Sequence, residues 1–470
     1  MIPARLIWPP YPYRAGFCIT DDTDNADKAR VKAVYDFLLD RGFVTTKTVW
    51  PFKPMERCGI PPVPDSVLRG VTCEDEEYRD YCGMLSRNGF EICLHGASAG
   101  NNLREATERA FQFLDEHFGP SDTFICHSKN AENIYWEHKV TDRFPFSALL
   151  RLYSSHSCEG EVESSPFFWG DVCARRINQV RLFRTRRTNT LARNPSMPYY
   201  DPRKPYVNGW FSATKRSLAD CASPDALDRL KKENGLTVLY QYLDRYANDE
   251  TLAIDERFAR GVENILGDGS ILVDTVSGMM RRLRACHGLF VVSGDDAFWI
   301  VNTGDEPVRD LQVALGAGVS TMPSRTIPGD GETRLEGNTL VISSVPAQSV
   351  TKYTTGVALA FSGERCKRLN KSRRLAWKLP LGTVYVNLSD IPWEAGNDIQ
   401  VKPGSFQTNL PRSGTGTLLH TTLPAAEEWK LLSDQVSIIL REILLKGRSL
   451  DAEKYLGGPT RTKHEDQYNW

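Results

Sequence analysis

Over about the first 285 residues, short apolar segments alternate with amphipathic ones, and few folds accept such a chain. GFCIT (16–20), VTTKTVWPF (44–52), FEICLHG (90–96), TFICHS (123–128), ALLRLY (148–153), LTVLYQYL (236–243) and SILVDT (270–275) read as strands. Helix candidates fall at 26–43, 73–89, 101–119, 171–183, 224–234, 256–267 and 276–286. The clearest is 101–119, with Asn at its expected N-cap, one apolar face, and Gly119-Pro120 as a stop. Strands followed repeatedly by helices build a parallel sheet. About seven such units suit a distorted, closed or nearly closed (β/α) barrel, and hence the α/β class, better than an open sheet.

The pattern changes near Gly288. GLFVVSG, AFWIVNTG, DLQVAL, NTLVISSV and SVTKYTT are short strands broken by Gly, Pro, Asp and Asn. They predict a small β-sandwich at 288–362 after a barrel at 1–287. Residues 363–470 read as a mixed C-terminal extension, basic at its start and with a helix near 425–447.

Composition narrows the function. The chain is 41% hydrophobic and 25% charged, as globular proteins are, and its net charge of −1 gives no field for nucleic acid or an anionic membrane. We expect no membrane span and no signal peptide, because no apolar run is long enough and no basic start precedes an apolar core. Eleven scattered cysteines, without a CxxC pair, suit reduced thiols and a cytoplasmic location. The absence of GxxxxGK[ST], GxSxG and HExxH argues against a P-loop enzyme, an α/β-hydrolase and a zincin.

In a (β/α) barrel the chemistry gathers at the C-terminal ends of the strands. Asp21-Asp22, His95 and His127 each fall at such an end. Asp21 and Asp22, with Asp24 and Asp27 behind them, need positive charge nearby: a metal, a substrate, or an Arg or Lys neighbour. One of the pair could bind a metal while the other takes a proton from water; otherwise both cap the following turn. His95 is either a ligand for zinc or another transition ion, or a hydrogen-bonded loop residue. After His127, Asn130 and Trp136 could bond and stack on a sugar, or else cap a helix and pack in the core. Two aromatic loops (164–176 and 194–212) offer Trp169, Asp171, Tyr206, Asn208 and Trp210 as a sugar-binding wall, unless they pack on their own rings. The run RLFRTRRTNTLAR (181–193) reads as a solvated face or an anion site.

FCITDDTD, CLHGASAGNN and FICHSKNAENIYW, in this order, resemble the polysaccharide deacetylase superfamily over about residues 10–285. The resemblance implies a metal-dependent hydrolase that removes N- or O-acetyl groups from carbohydrate. It implies Asp21 as general base and Asp22 and His95 as ligands of a divalent metal, most simply zinc. The family's second histidine falls on Ala99, its arginine motif has no clear match, and the late strand reads VLYQYLD with Gln241 and Tyr242 in place of a histidine. His127, by its strand-end position, is the replacement ligand we expect, or else the group that protonates the leaving group. Two alternatives stand beside this reading. One is a glycosidase using Asp21 with Asp171 or Glu163; the other is a non-catalytic carbohydrate-binding or assembly protein on a decayed barrel.

Overall fold

The computed structural model describes residues 5–54, 70–127, 130–153, 158–201, 203–293, 297–302, 304–315, 324–325, 331–347, 349–354, 366–369, 374–379, 382–387, 406–408, 421–422 and 429–438. These fall into two compact units. One is drawn from Phe17–Asn194, Arg203–Ser277 and Ala425–Trp470, the other from Met1–Gly16, Pro195–Pro202 and Gly278–Pro424.

The first unit is a closed barrel of seven parallel strands: β1 (Ala15–Asp21), β2 (Thr46–Val49), β3 (Glu91–Leu94), β4 (Thr123–Phe124), β5 (Gln179–Thr185), β6 (Trp210–Thr214) and β7 (Leu236–Gln241). β7 pairs with β6 and also with β1, which closes the ring. β1 is buried along its whole length, which accounts for its continuous apolar run. Several helices are amphipathic and capped by short polar side chains. In α1 (Lys28–Asp40) Asp27 accepts the Arg30 amide, and Val31, Val34, Tyr35 and Leu38 are buried. In α2 (Glu76–Arg87) Asp75 caps the Tyr78 amide in the same way.

Five of the seven strands read from sequence belong to the barrel; two do not. Residues 148–153 lie in the helix Phe146–Tyr153, since a short apolar run fits a helix as well as a strand. Ile271–Val273 is a strand beside β1 rather than one that closes the ring. Their places are taken by β5 and β6. The helix expected at 171–183 stops at Arg176, and β5 begins at Gln179. α3 (Arg104–His117) starts without the expected asparagine cap: Leu103 is its N-cap residue and makes no side-chain bond.

In the second unit, strands Arg5–Ile7, Val308–Ala314, Thr339–Val345 and Thr333–Glu336 form one antiparallel sheet. Leu289–Ser293, Ala297–Asn302, Ser349–Thr354 and Ser324–Arg325 form another. Phe298, Ile300 and Tyr353 from one sheet and Leu311, Val313, Leu340 and Ile342 from the other share one core. The first strand of the chain thus joins this unit, not the barrel. Four short strands between Cys366 and Thr408 make a further antiparallel sheet. Residues 429–438 are helical; the rest of the helix expected at 425–447 lies outside the described residues. Among the described residues no cysteine is in a disulfide and no helix is long and apolar enough to cross a membrane.

Candidate metal centre

β1 sorts its terminal acids by strand alternation. Asp21 points away from Thr20 and Asp22. Its Oδ2 accepts from Lys47 Nζ at 2.9 Å and Tyr35 Oη at 2.8 Å, and its Oδ1 accepts from the Leu243 amide at 2.7 Å. Lys47 is fully buried. Burial alone would lower its pKa, but the Asp21 carboxylate outweighs that and holds it raised. Asp22 turns to the other side with Thr20. There the Arg181 guanidinium, on β5, bonds both its oxygens at 2.7 and 2.6 Å and also reaches Thr20 Oγ1 at 3.1 Å.

Asp24, two residues beyond Asp22, meets both strand-end histidines. His127 Nε2 lies 2.7 Å from its Oδ1, and His95 Nε2 lies 3.2 Å from its Oδ2. One donor atom from each of the three lies within 4.8 Å of the others, so Asp24, His95 and His127 can hold a metal ion. His95 Nε2 is 3.7 Å from Asp22 Oδ2, which puts the Asp22–Arg181 pair against this cluster.

The imidazoles are held in the form a metal needs. His95 Nδ1 lies 2.7 Å from the Ile125 carbonyl, which can only accept, so Nδ1 carries the proton and Nε2 faces Asp24. His127 Nδ1 is 2.9 Å from Asn130 Oδ1. The Asn130 amide donates to Gly100 O and Glu132 Oε1, both at 2.8 Å, which fixes its oxygen toward His127. Glu132 is buried and accepts from Asn102 as well, at 2.6 Å. Burial pushes its pKa up against these bonds. Gly96, at φ +95°, makes room for this network: a Cβ there would sit 3.2 Å from Glu132 Oε1. Trp50 forms one wall, stacked on His95 and edge-on to His127.

Burial works against charge on Asp24, yet His127 and His95 hold its carboxyl well below the usual range. His127 is raised, against its burial, chiefly by Asp24. A carboxylate facing two Nε2 atoms calls for positive charge between them, either protons or a cation. Two nitrogens and a carboxylate oxygen, with both Nδ1 positions already satisfied, fit a zinc-type donor set.

The sequence-derived candidates divide accordingly. The structure brings His95 and His127 together with Asp24, while Asp22 is held by Arg181 and Asp21 by Lys47, Tyr35 and the Leu243 amide. Asn101 and Asn102 face inward: Asn101 Oδ1 accepts from the Ala131 amide at 2.8 Å while Asn102 bonds Glu132. Asn130 positions His127, and Trp136 is half-buried ahead of the turn Glu137–Val140. The aromatic residues of the two loop stretches are mostly buried against the barrel's own strands and helices. Trp169 is fully buried against Phe111 and Phe124, and its indole donates to the Glu132 carbonyl at 2.6 Å. Trp210 is fully buried in β6, and Asn208 donates to the carbonyls of Ala174 and Ile177 at 2.8 and 2.9 Å. Tyr206 packs edge-on to Phe168 and bonds Glu163. The forked bond from Arg104 holds the Asp171 carboxyl down at about 2.

No family model matches the chain, and no curated protein does. Among solved structures, a probable polysaccharide deacetylase from Pseudomonas aeruginosa PAO1 aligns at 11% identity and a TM-score of 0.32, over 58% of this chain and 94% of its own. AmyP in complex with maltose aligns at 9% identity and a TM-score of 0.28, over 74% of this chain and 98% of its own. At such TM-scores neither likeness carries an assignment, and the reading of the site rests on its geometry.

Proposed function

We propose that the barrel is a metal-dependent hydrolase that removes acetyl groups from carbohydrate. The observation that carries the reading is the convergence of Asp24, His95 and His127 beside the buried Asp22–Arg181 pair. The sequence resemblance points the same way. Asp24, His95 and His127 would hold the metal, most simply zinc. A divalent ion there supplies Lewis acidity toward an acyl carbonyl and toward water.

The general base is Asp22. Arg181 occupies one lone pair on each of its oxygens and leaves the others open to accept a proton. The fork also fixes the carboxylate plane, which a single contact would not. As the acyl bond breaks, the protonated Asp22 returns that proton to the departing amine or hydroxyl. Asp21 lies on the other face of the strand and serves the fold through Lys47.

The test is acetate release from acetylated amino sugars and oligosaccharides with added zinc, cobalt or manganese. Asp22→Asn should slow release by ~10²–10⁴ with metal content unchanged. Reducing-end formation without acetate would favour a glycosidase. Sugar binding without turnover under any metal would favour a binding protein.

A further inference from the structure

Tyr240 and Tyr242 stand at the end of β7, on the side of the sheet that carries Asp22. The Asp22 amide donates to the Gln241 carbonyl at 2.9 Å, which sets Asp22 beside Tyr242 in the parallel pairing of β1 with β7. Gln241, between the two tyrosines, faces away: its side-chain amide donates to the Arg216 carbonyl at 2.7 Å, and its oxygen accepts from Tyr246. The Arg181 guanidinium, which grips Asp22, lies 4.2 Å from the centre of the Tyr240 ring. Asp22 Oδ2 in turn lies 3.7 Å from His95 Nε2. The tyrosines therefore stand next to the proposed base and, through it, next to the metal centre.

Their hydroxyls are 2.6 Å apart, so one donates to the other and the acceptor's own proton remains. Among the described residues neither hydroxyl has another hydrogen-bond partner. Tyr240 is buried and packed on Arg181, whereas Tyr242 is half-buried and lines the pocket between the ends of β6 and β7. The accessible proton is then that of Tyr242, with Tyr240 donating to its oxygen. Arg245 lies 4.1 Å from the centre of the Tyr242 ring, so each ring rests on a guanidinium and each hydroxyl has a set direction. Burial first, and among the carboxylates chiefly Asp22 for Tyr240 and Asp24 for Tyr242, raises the pKa of both phenols, so both remain donors at neutral pH.

We propose that Tyr242 donates a hydrogen bond to the acyl oxygen of the substrate, with Tyr240 orienting and polarising it. When water adds to the acyl carbon, the C=O π electrons move onto that oxygen, and the donor stabilises the charge that forms there. The phenol keeps its proton throughout. Its bond relaxes as the C=O re-forms and the amine or hydroxyl departs with the proton from Asp22. Tyr242 thus acts as a catalytic residue and Tyr240 as a positioning residue. This rests on the hydrolase reading above.

The test is steady-state acetate release, with added zinc, by the full chain and by Tyr242→Phe, Tyr240→Phe and the double variant. Each substitution keeps the ring and removes one hydroxyl. Tyr242→Phe should lower kcat by ~10²-fold and leave KM within about threefold, because the bond strengthens only as charge develops. Tyr240→Phe should cost about tenfold or less, since the Tyr242 donor remains, and the double variant should cost about what Tyr242→Phe does. Calorimetry with a methylphosphonate analogue of the acetylated sugar, whose tetrahedral phosphorus carries a negative oxygen, gives a second readout. Its binding should weaken in Tyr242→Phe by about the same factor as kcat/KM, while binding of the deacetylated product and bound zinc stay as in the native chain. Full activity in Tyr242→Phe, a raised KM at constant kcat, loss of bound zinc, or a loss of rate confined to Tyr240→Phe would each overturn the proposal and leave the hydrolase standing. A native chain that releases no acetate under any metal would overturn both.

Discussion

The guanidinium of Arg181 meets the carboxylate of Asp22 fork to fork, at 2.7 and 2.6 Å, in the buried interior of the barrel. A buried charge pair of this kind is costly to break from one side. Arg181→Met should leave Asp22 uncompensated and lower the unfolding free energy by ~3–5 kcal/mol. Arg181→Lys keeps the charge but not the fork; it should cost less stability and still slow acetate release by about tenfold or more. Urea unfolding and initial rates on the same preparations check both.

Asp21 and Lys47 form the second buried pair, on the outer face of the same strand. Asp21→Ala strands a buried ammonium and should cost ~3–5 kcal/mol, with bound metal per folded chain unchanged. Stability unaffected by Asp21→Ala, with turnover abolished, would return the base role to Asp21.

Asn130 and Glu132 act through His127. Asn130→Ala removes the oxygen that accepts the Nδ1 proton, and Glu132→Gln weakens the hold on Asn130. Each should lower metal affinity by ~10–100-fold while the barrel stays folded. Competition with a chromogenic chelator measures the affinity, and circular dichroism measures the fold.

The strand–helix alternation and the strand-end histidines were legible in the sequence because both depend on local pattern. Two barrel strands were not. Trp210–Thr214 sits at the end of an aromatic loop stretch, and Gln179–Thr185 contains the first residues of an arginine-rich run. Charge in such a run reads as solvated, yet Arg181 is buried because Asp22, more than 150 residues away in sequence, compensates it. The choice among Asp21, Asp22 and Asp24 depended on how the chain turns after β1 ends. Asp22 and Asp24, two apart in TDDTD, share a side, and that spacing is the one local signal that favoured Asp24.

His287 gives the second unit a pH dependence. It is buried, its Nδ1 has no partner, and burial together with Arg284 pushes its pKa down to about 3. The folded pKa lies below the unfolded value of about 6.5, so the unfolded state binds more protons between these limits. The stability conferred by neutral His287 is complete above pH ~6.5 and is lost by about 1.4 kcal/mol per pH unit as pH falls toward ~3. The difference in unfolding free energy between the native chain and His287→Leu should carry that slope; a flat difference would contradict it.

The most direct measurement is zinc binding by the full chain and by two single variants, followed by calorimetry and by elemental analysis after gel filtration. The native chain should bind one ion, Asp24→Asn should lose it or bind far more weakly, and Asp22→Asn should retain it. A native chain that binds no divalent ion, or one whose binding is lost with Asp22→Asn and kept with Asp24→Asn, would contradict the metal centre described here.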